Sequence, residues 1–292
     1  MTGKIDLHTH TTASDGRLTP SELVELALAR GLSLLAVTDH DSTDGVVPAI
    51  ERAAQTTLEV WSGVELSTDI ARGEVHMLGY FVDTTQKDLQ DMLEKLRWSR
   101  IGRARAMVVK LNELGMTISF ARVQEIAGDG AIGRPHLAQA LVEGGYVKNS
   151  KEAFDKYLGR TGPAYADRFK LTPTDAVRLI RDAGGMPVLA HPMFISQEPG
   201  FDLRPFVQEL LPFGLVGIEC HYANTSSQIV QDLLGIASKF NLIPTGGTDF
   251  HGPNVYSTEL GDREVPSTTV EKMRAWRLAN PTPSPSPRSS SG

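Results

Sequence analysis

Ile5-Asp6-Leu7-His8-Thr9-His10, followed by Thr11-Thr12-Ala13-Ser14-Asp15, decides how the 292-residue chain is read. Ile5 to Leu7 predicts a short buried strand at the very start, with no signal or transit segment expected ahead of it. Side chains two apart on a strand point to the same side, so His8 and His10 can present both imidazoles to one point. Asp15, after a polar turn, can bring a carboxylate beside them. Imidazoles with carboxylates and no thiolate make the ligand set of Zn, Mn or Fe in hydrolytic sites. An isolated His-x-His is equally compatible with two unrelated histidines, so the weight falls on the rest of the chain.

Outward from that stretch the pattern alternates strand and helix. Thr19-Pro20-Ser21-Glu22 reads as an N-cap, a proline in the first turn and a capping box. The helix it opens carries Leu23, Leu26, Ala27 and Ala29 to a stop at Gly31. Leu34-Leu35-Ala36-Val37 is a continuous apolar strand, expected where both faces are covered, and it ends at Thr38-Asp39-His40-Asp41. Strand, helix and strand within so short a span form a βαβ unit, which implies a parallel sheet or barrel. A helix near Val46–Gln55, a strand over Leu58–Leu66 with Glu65, and an alternating run over Glu74–Val82 with His76 follow. Residues 87–162 then read as helices and turns alone, a helical insertion or cap. The alternation resumes from 163 to 280, with strands ending at His191, His221 and the Asp249-Phe250-His251 stretch. An α/β domain, sheet or barrel, is thus expected over 1–86 and 163–280, and Pro281–Gly292, rich in Pro and Ser, as a disordered tail.

The formal net charge of −6 argues against a non-specific binder of nucleic acid, double-stranded DNA included. It leaves an anionic substrate open, because divalent cations can reverse the sign of a site locally. No apolar run is long enough to span a bilayer. The single cysteine, Cys220, excludes an intrachain disulfide and lies in an apolar run, where a buried structural thiol is expected. A cytoplasmic location fits. Of the eight histidines, His8, His10, His40, His191, His221 and His251 fall at or just past strand ends. In α/β barrels that is where catalytic groups converge. With Glu65, His76, Asp249 and Asp15, nine candidate ligands emerge: His8, His10, Asp15, His40, Glu65, His76, His191, Asp249 and His251. A catalytic ion takes about three protein ligands, so nine suit three divalent ions, with Glu65 as the expected bridging carboxylate.

Asp6-Leu7-His8-Thr9-His10, Thr38-Asp39-His40-Asp41, Gly63-Val64-Glu65, His76-Met77-Leu78-Gly79, Ala190-His191-Pro192 and Asp249-Phe250-His251 resemble, in order, the motifs of the PHP (polymerase and histidinol phosphatase) family. The resemblance runs from about Lys4 to Gly252. It implies a distorted seven-stranded (β/α) barrel whose trinuclear centre, most often Mn with Fe or Zn as alternatives, cleaves phosphate esters. All nine ligands carry over by position. Gly133-Arg134-Pro135-His136-Leu137-Ala138, Gly162-Pro163-Ala164-Tyr165 and the Trp98–Arg105 stretch are similar to the insertion of small free-standing phosphoesterases in the family. One branch of that group removes the 3'-phosphate of adenosine 3',5'-bisphosphate, and another trims short RNA from the 5' end.

The resulting expectation is a phosphoesterase acting on the 3'-phosphate of nucleoside 3',5'-bisphosphates, by attack of a hydroxide shared between ions about 3.5–4 Å apart. Asp15, His40 and Glu65 are the expected catalytic groups. Arg134 and His136, at a helix start that already favours an anion, are expected to bind substrate with Arg103, Arg105 and His221. A 5'-3' exonuclease on short RNA is the alternative within the class. C–N hydrolysis and a non-catalytic metal-binding module serving a partner protein are the alternatives outside it. Oligomeric state is not readable.

Overall fold

The computed structural model describes residues 3–70, 73–128, 132–196, 200–255 and 257–281. Beyond Pro281, the segment expected to be a tail lies outside the described residues. β1 (Lys4–Asp6), α1 (Pro20–Ala29), β2 (Leu32–Val37), α2 (Val46–Ala53) and β3 (Glu59–Ile70) make two successive parallel crossovers. α1 begins as its sequence dictates: the Thr19 hydroxyl accepts from the Glu22 amide, and the Glu22 carboxylate accepts from the Thr19 amide. Gly31, at φ +73°, supplies the left-handed turn that stops it.

Two residues separate β3 from β4 (Gly73–Tyr80), and β4 returns antiparallel. A parallel crossover needs about a dozen residues or more, so this link permits only a hairpin. The insertion follows, as α3 (Lys87–Glu113), α4 (Phe120–Ala127), α5 (Arg134–Glu143) and α6 (Ser150–Ala153), the last continued by a π-helical turn over Phe154–Leu158. Then come α7 (Pro173–Asp182), β5 (Met186–Leu189), α8 (Met193–Ser196), α9 (Leu203–Leu210), β6 (Gly217–Tyr222), α10 (Ser227–Lys239), β7 (Ile243–Gly247) and α11 (Ser267–Ala279). β5 is antiparallel to β4, whereas β5, β6 and β7 are mutually parallel. The seven strands lie in chain order, and β4 alone is reversed. The parallel sheet expected from the opening βαβ unit is therefore mixed.

The sheet curls into a nearly closed barrel. Past β1 and β7 the edges meet: the His10 amide donates to the Phe250 carbonyl at 2.8 Å, and the Phe250 amide to the His8 carbonyl at 3.3 Å. Lower down, the Asp6 carboxylate accepts from the amide and hydroxyl of Thr248 and from the Gly261 amide. A side chain thus satisfies donors that a continuous ladder would have paired. Leu34 and Ala36 of β2, Leu78 and Tyr80 of β4, and Met186 and Val188 of β5 share one buried cluster with Leu7. Residues from opposite strands meet this way only inside the barrel. Their alternates face out: Leu35 and Val37 under α1 and α2, and Met77, Leu189, Ile218 and Cys220 under the helices of the other flank.

α3 joins two cores. Leu89, Leu93 and Leu96 pack in the barrel's outer cluster, whereas Ala104, Met107, Val108 and Leu111 pack with α4, α5 and Ala164 in a separate one. The insertion's own core therefore starts midway along α3, later than the boundary at residue 87.

Candidate functional site

Each strand end delivers one or two polar side chains to the rim of the barrel. His8 and His10 leave β1 fully buried, their Nε2 atoms both 3.2 Å from Glu65 Oε2 and 3.3 and 2.9 Å from Asp249 Oδ1. His40, past β2, puts Nδ1 3.0 Å from the same Oε2. The other oxygen of Glu65 faces His76 Nδ1 at 2.8 Å and His191 Nε2 at 2.9 Å. One carboxylate thus touches five imidazoles. On the outer side His251 Nε2 lies 3.3 Å from Asp15 Oδ1, with His10 Nδ1 at 3.8 Å and His40 Nε2 at 4.0 Å from that carboxylate. The reversed β4 matters here. Its register sets His76 opposite Ser67, near the strand's beginning, so the reversal brings an early residue to the rim that other strands reach at their ends.

Backbone geometry turns these side chains inward. His191 and Asp249 have φ of +26° and +54°, in the left-handed region that few side chains occupy. Gly247 lets β7 approach β1, since a Cβ there would lie 2.5 Å from His8 Cβ. Around the cluster stands a ring of fixed partners. Glu219, fully buried on β6, meets His8 Nδ1 at 3.0 Å and accepts from the His191 amide at 2.7 Å. The Tyr222 hydroxyl donates to Asp249 Oδ2 at 2.8 Å. Asp39 accepts from the Thr11 amide and hydroxyl and from the Ser14 hydroxyl, fastening the loop that carries Asp15. Metal-binding histidines and carboxylates characteristically have such outer partners.

The donor set fits divalent cations. His8 Nε2, His10 Nε2, Asp15 Oδ1, His40 Nδ1, Glu65 Oε2 and Asp249 Oδ1 are buried without a hydrogen-bond partner among the described residues. They lie close together yet are misaligned for hydrogen bonding, as atoms aimed at shared points between them would be. The ligand atoms fall into three groups: His10, Asp15, His40 and His251; His8, His10, Glu65 and Asp249; and His40, Glu65 and His76. Taking carboxylates out of water without a counter-charge costs several kcal/mol each. Burial raises the Glu65 and Asp249 carboxyls, but surrounding imidazoles outweigh it and hold both well below the usual range. Burial disfavours the His10 imidazolium, yet Asp249 and Glu65 together keep it up at about 10. His40, where burial dominates, is pushed down to about 3. Without cations the cluster thus holds charge together with protons, which metal binding would displace.

Against Asp15, His40 and His76 opens a cavity of about 280 Å³ whose other walls include Arg100, Arg103, Arg134, His136 and Arg168. The arginines come from α3, the start of α5 and the segment before α7. Arg100 donates from Nε and one terminal nitrogen to Asp41 Oδ2, at 2.9 and 2.5 Å. Arg134 pairs with Glu74 at 3.3 Å. Arg168 Nε is buried with no hydrogen-bond partner, and no carboxylate pairs with Arg103 among the described residues. Burial, then the neighbouring guanidiniums, pushes Arg103 down to about 9 and Arg168 down to about 10, so both stay charged at neutral pH. His136 accepts the Gly133 amide on Nδ1 at 3.0 Å, which leaves Nε2 to carry the proton. Burial lowers its pKa, so the ring is a neutral donor at this wall. Four clustered cations with an unpartnered donor are a setting that can hold an anion.

The structure brings all nine expected ligands into one cluster, and Arg103, Arg134 and His136 to the cavity beside it. Arg105 and His221 are not brought there. Arg105 faces solvent with its guanidinium over the Phe120 ring, two residues along α3 from the buried Arg103. His221, half-buried beside Arg263 and Glu264, follows a register shift in the β6–β7 pairing that hands the site to Glu219 and Tyr222 instead. Sequence reasoning missed Arg100 as a site residue and missed Arg168, Glu219 and Tyr222 altogether. Glu219, an acid inside the apolar run before Cys220, was the one of these with a readable signal.

The PHP domain family model matches residues 6–158. The 3',5'-nucleoside bisphosphate phosphatase of Chromobacterium violaceum is 34% identical over 266 residues, covering 89% of this chain and 91% of that protein. The 5'-3' exoribonuclease of Haemophilus influenzae is also 34% identical, over 253 residues, covering 87% and 92%. Among solved structures, a protein from Bifidobacterium adolescentis described as a metal-dependent phosphoesterase superposes with a TM-score of 0.82 at 28% identity, covering 94% of this chain and 96% of that one.

Proposed function

The chain belongs to the PHP domain family and is a hydrolase of phosphoric esters, and on that premise we propose that it removes the 3'-phosphate of nucleoside 3',5'-bisphosphates. The observation that carries this reading is the junction of two sites. A cluster fit for divalent cations opens directly into a cavity walled by four guanidiniums. A cation centre needs a single phosphate, so a separate cationic wall is best explained by a second phosphate on the same substrate.

The nine residues His8, His10, Asp15, His40, Glu65, His76, His191, Asp249 and His251 would hold three divalent ions, with Mn the first metal to test and Fe or Zn the alternatives. The three ligand groups support that number, and the two-sided contacts of Glu65 support it as the bridging ligand. When bound, such ions would draw charge from phosphoryl oxygens and bring the pKa of water down to near neutral. The chain does the rest. Arg134, Arg103 and Arg168 fix the 5'-phosphate, and His136 donates from Nε2. Asp15 and His40, the ligands that border the cavity with His76, face the leaving 3'-oxygen and are the groups within reach of its proton. Glu219 and Tyr222 keep His8, His191 and Asp249 in orientation.

A 5'-3' exonuclease on short RNA is the second reading, favoured by relatives of that name. A substrate panel of adenosine 3',5'-bisphosphate, 3'-AMP, 5'-AMP and a short 5'-phosphorylated RNA, assayed with Mn, tests the proposal. Preference for the bisphosphate over 3'-AMP is expected, and equal rates on the two would remove the second-phosphate reading.

A further inference from the structure

Two carboxylates stand against the guanidiniums of the arginine cavity, and they hold them differently. Asp41, fully buried, accepts from Arg100 on Oδ2 at 2.9 and 2.5 Å and from the Ser67 amide on Oδ1 at 2.9 Å. Glu74, at the start of β4, lines the cavity itself. Among the described residues it is the one acid there outside the nine ligands. Its side chain keeps 30% exposure, and it meets Arg134 through a single contact at 3.3 Å. Formed charge-assisted bonds of this type run about 2.7–2.9 Å. Asp41 is a fixed partner, and Glu74 is a loose one.

A second cation explains why the loose contact can open. The oxygen that meets Arg134, Oε1, also accepts from Lys170, which is the closer of the two. Stripping a largely buried carboxylate of its only partner is strongly unfavourable. Glu74 is spared that, because it keeps Lys170 when Arg134 turns away. A terminal phosphate carries up to two charges and three strong acceptor oxygens. It offers the planar guanidinium a two-bond contact that a shared carboxylate oxygen does not. The geometry is therefore that of an exchange, in which Arg134 passes from Glu74 to an incoming phosphate.

We infer that Glu74 is a specificity-determining residue, the internal counter-ion that the 5'-phosphate displaces from Arg134, and that it limits both the preference for a bisphosphate and the grip on the product. The inference rests on the bisphosphate reading above and deepens it. The 5'-phosphate is present in the substrate, in the transition state and in the 5'-AMP that remains. A contact with Arg134 therefore holds all three alike. Such uniform binding lowers KM without raising kcat, and it retains the product as firmly as the substrate. By competing for Arg134, Glu74 loosens each of the three by the same factor.

The test uses the full chain with Mn and the substitution Glu74→Gln, which keeps the shape and removes the charge. The ratio of kcat/KM on adenosine 3',5'-bisphosphate to that on 3'-AMP should rise about 5- to 10-fold, the difference between a charged and a neutral acceptor. The inhibition constant of 5'-AMP should fall by the same factor. In an Arg134→Ala background the same substitution should move neither quantity. Lys170→Met leaves Glu74 to Arg134 alone, so there the ratio should fall. Wild-type metal content shows that each variant has folded around its ions. A lower ratio in Glu74→Gln would make the carboxylate a prop that aims Arg134, and an unchanged ratio would make it a bystander; either result overturns the inference. Equal wild-type rates on the bisphosphate and 3'-AMP would remove the bisphosphate reading itself, and this inference with it.

Discussion

The ligand cluster and the arginine cavity meet along Asp15, His40 and His76 but are put together differently. The cluster draws on strand ends of a single barrel, and its carboxylates and imidazoles lie within about hydrogen-bond distance of each other. Its order is set by backbone pairing of the same residues, such as the bridge between His40 and Glu65. The cavity draws its arginines from three separate segments outside the sheet, and three of its guanidiniums already lean on protein carboxylates, Arg100 and Arg168 on Asp41 and Arg134 on Glu74. What the difference teaches is a division of labour. On the proposed reading, the barrel rim would fix which bond is broken, and the arginine-bearing segments would fix which molecule is admitted.

That division yields measurable contrasts. Glu65→Ala removes the carboxylate that five imidazoles share, so metal content should fall from about three ions per chain to one or fewer. Turnover should drop about a thousandfold or more on every substrate. Metal analysis with kinetics checks it, and Asp15→Ala, on the outer edge, should lose less metal. A stoichiometry of one ion or less in active wild type would break the trinuclear reading. Arg134→Ala should leave metal content intact and lower kcat/KM on a bisphosphate about 10- to 150-fold, the worth of a charge-assisted contact of about 1.5–3 kcal/mol. On 3'-AMP the loss should nearly vanish. If Arg134→Ala shed metal, the two regions would not be separable.

Glu219→Gln tests the ring behind the cluster. Metal affinity should weaken about 10- to 100-fold, as for other outer partners, with the ratio between substrates unchanged. A metal titration followed by assay at saturation separates the two effects, and a change in substrate preference would count against a purely supporting role. The smallest effect belongs to Arg105→Ala. Its guanidinium covers Phe120 on the solvent side, so kcat/KM should hold and stability should shift by no more than about 0.5 kcal/mol. A bisphosphate-specific loss there would mean that the cavity extends further than its walls.

The amino-acid sequence by itself made the candidate ligands legible, because a strand end is a local event. Ile5 and Leu7 alternate into a strand that stops where His8 and His10 begin, the apolar run Leu34 to Val37 stops just before His40, and Asp249 and His251 follow a strand in the same way. The helix start at Thr19 was equally legible, since a cap is decided within four residues. Tertiary structure alone decided the rest. The reversal of β4 follows from a link of two residues, and only the barrel's closure shows that it carries His76 to the rim. Arg103 and Arg105 look alike in the sequence, but the packing of α3 buries one in the cavity and turns the other to solvent. Arg168, Glu219 and Tyr222 gain their meaning from neighbours far along the chain. Spacing encodes what adjacent residues share, whereas a cavity wall depends on how whole elements pack.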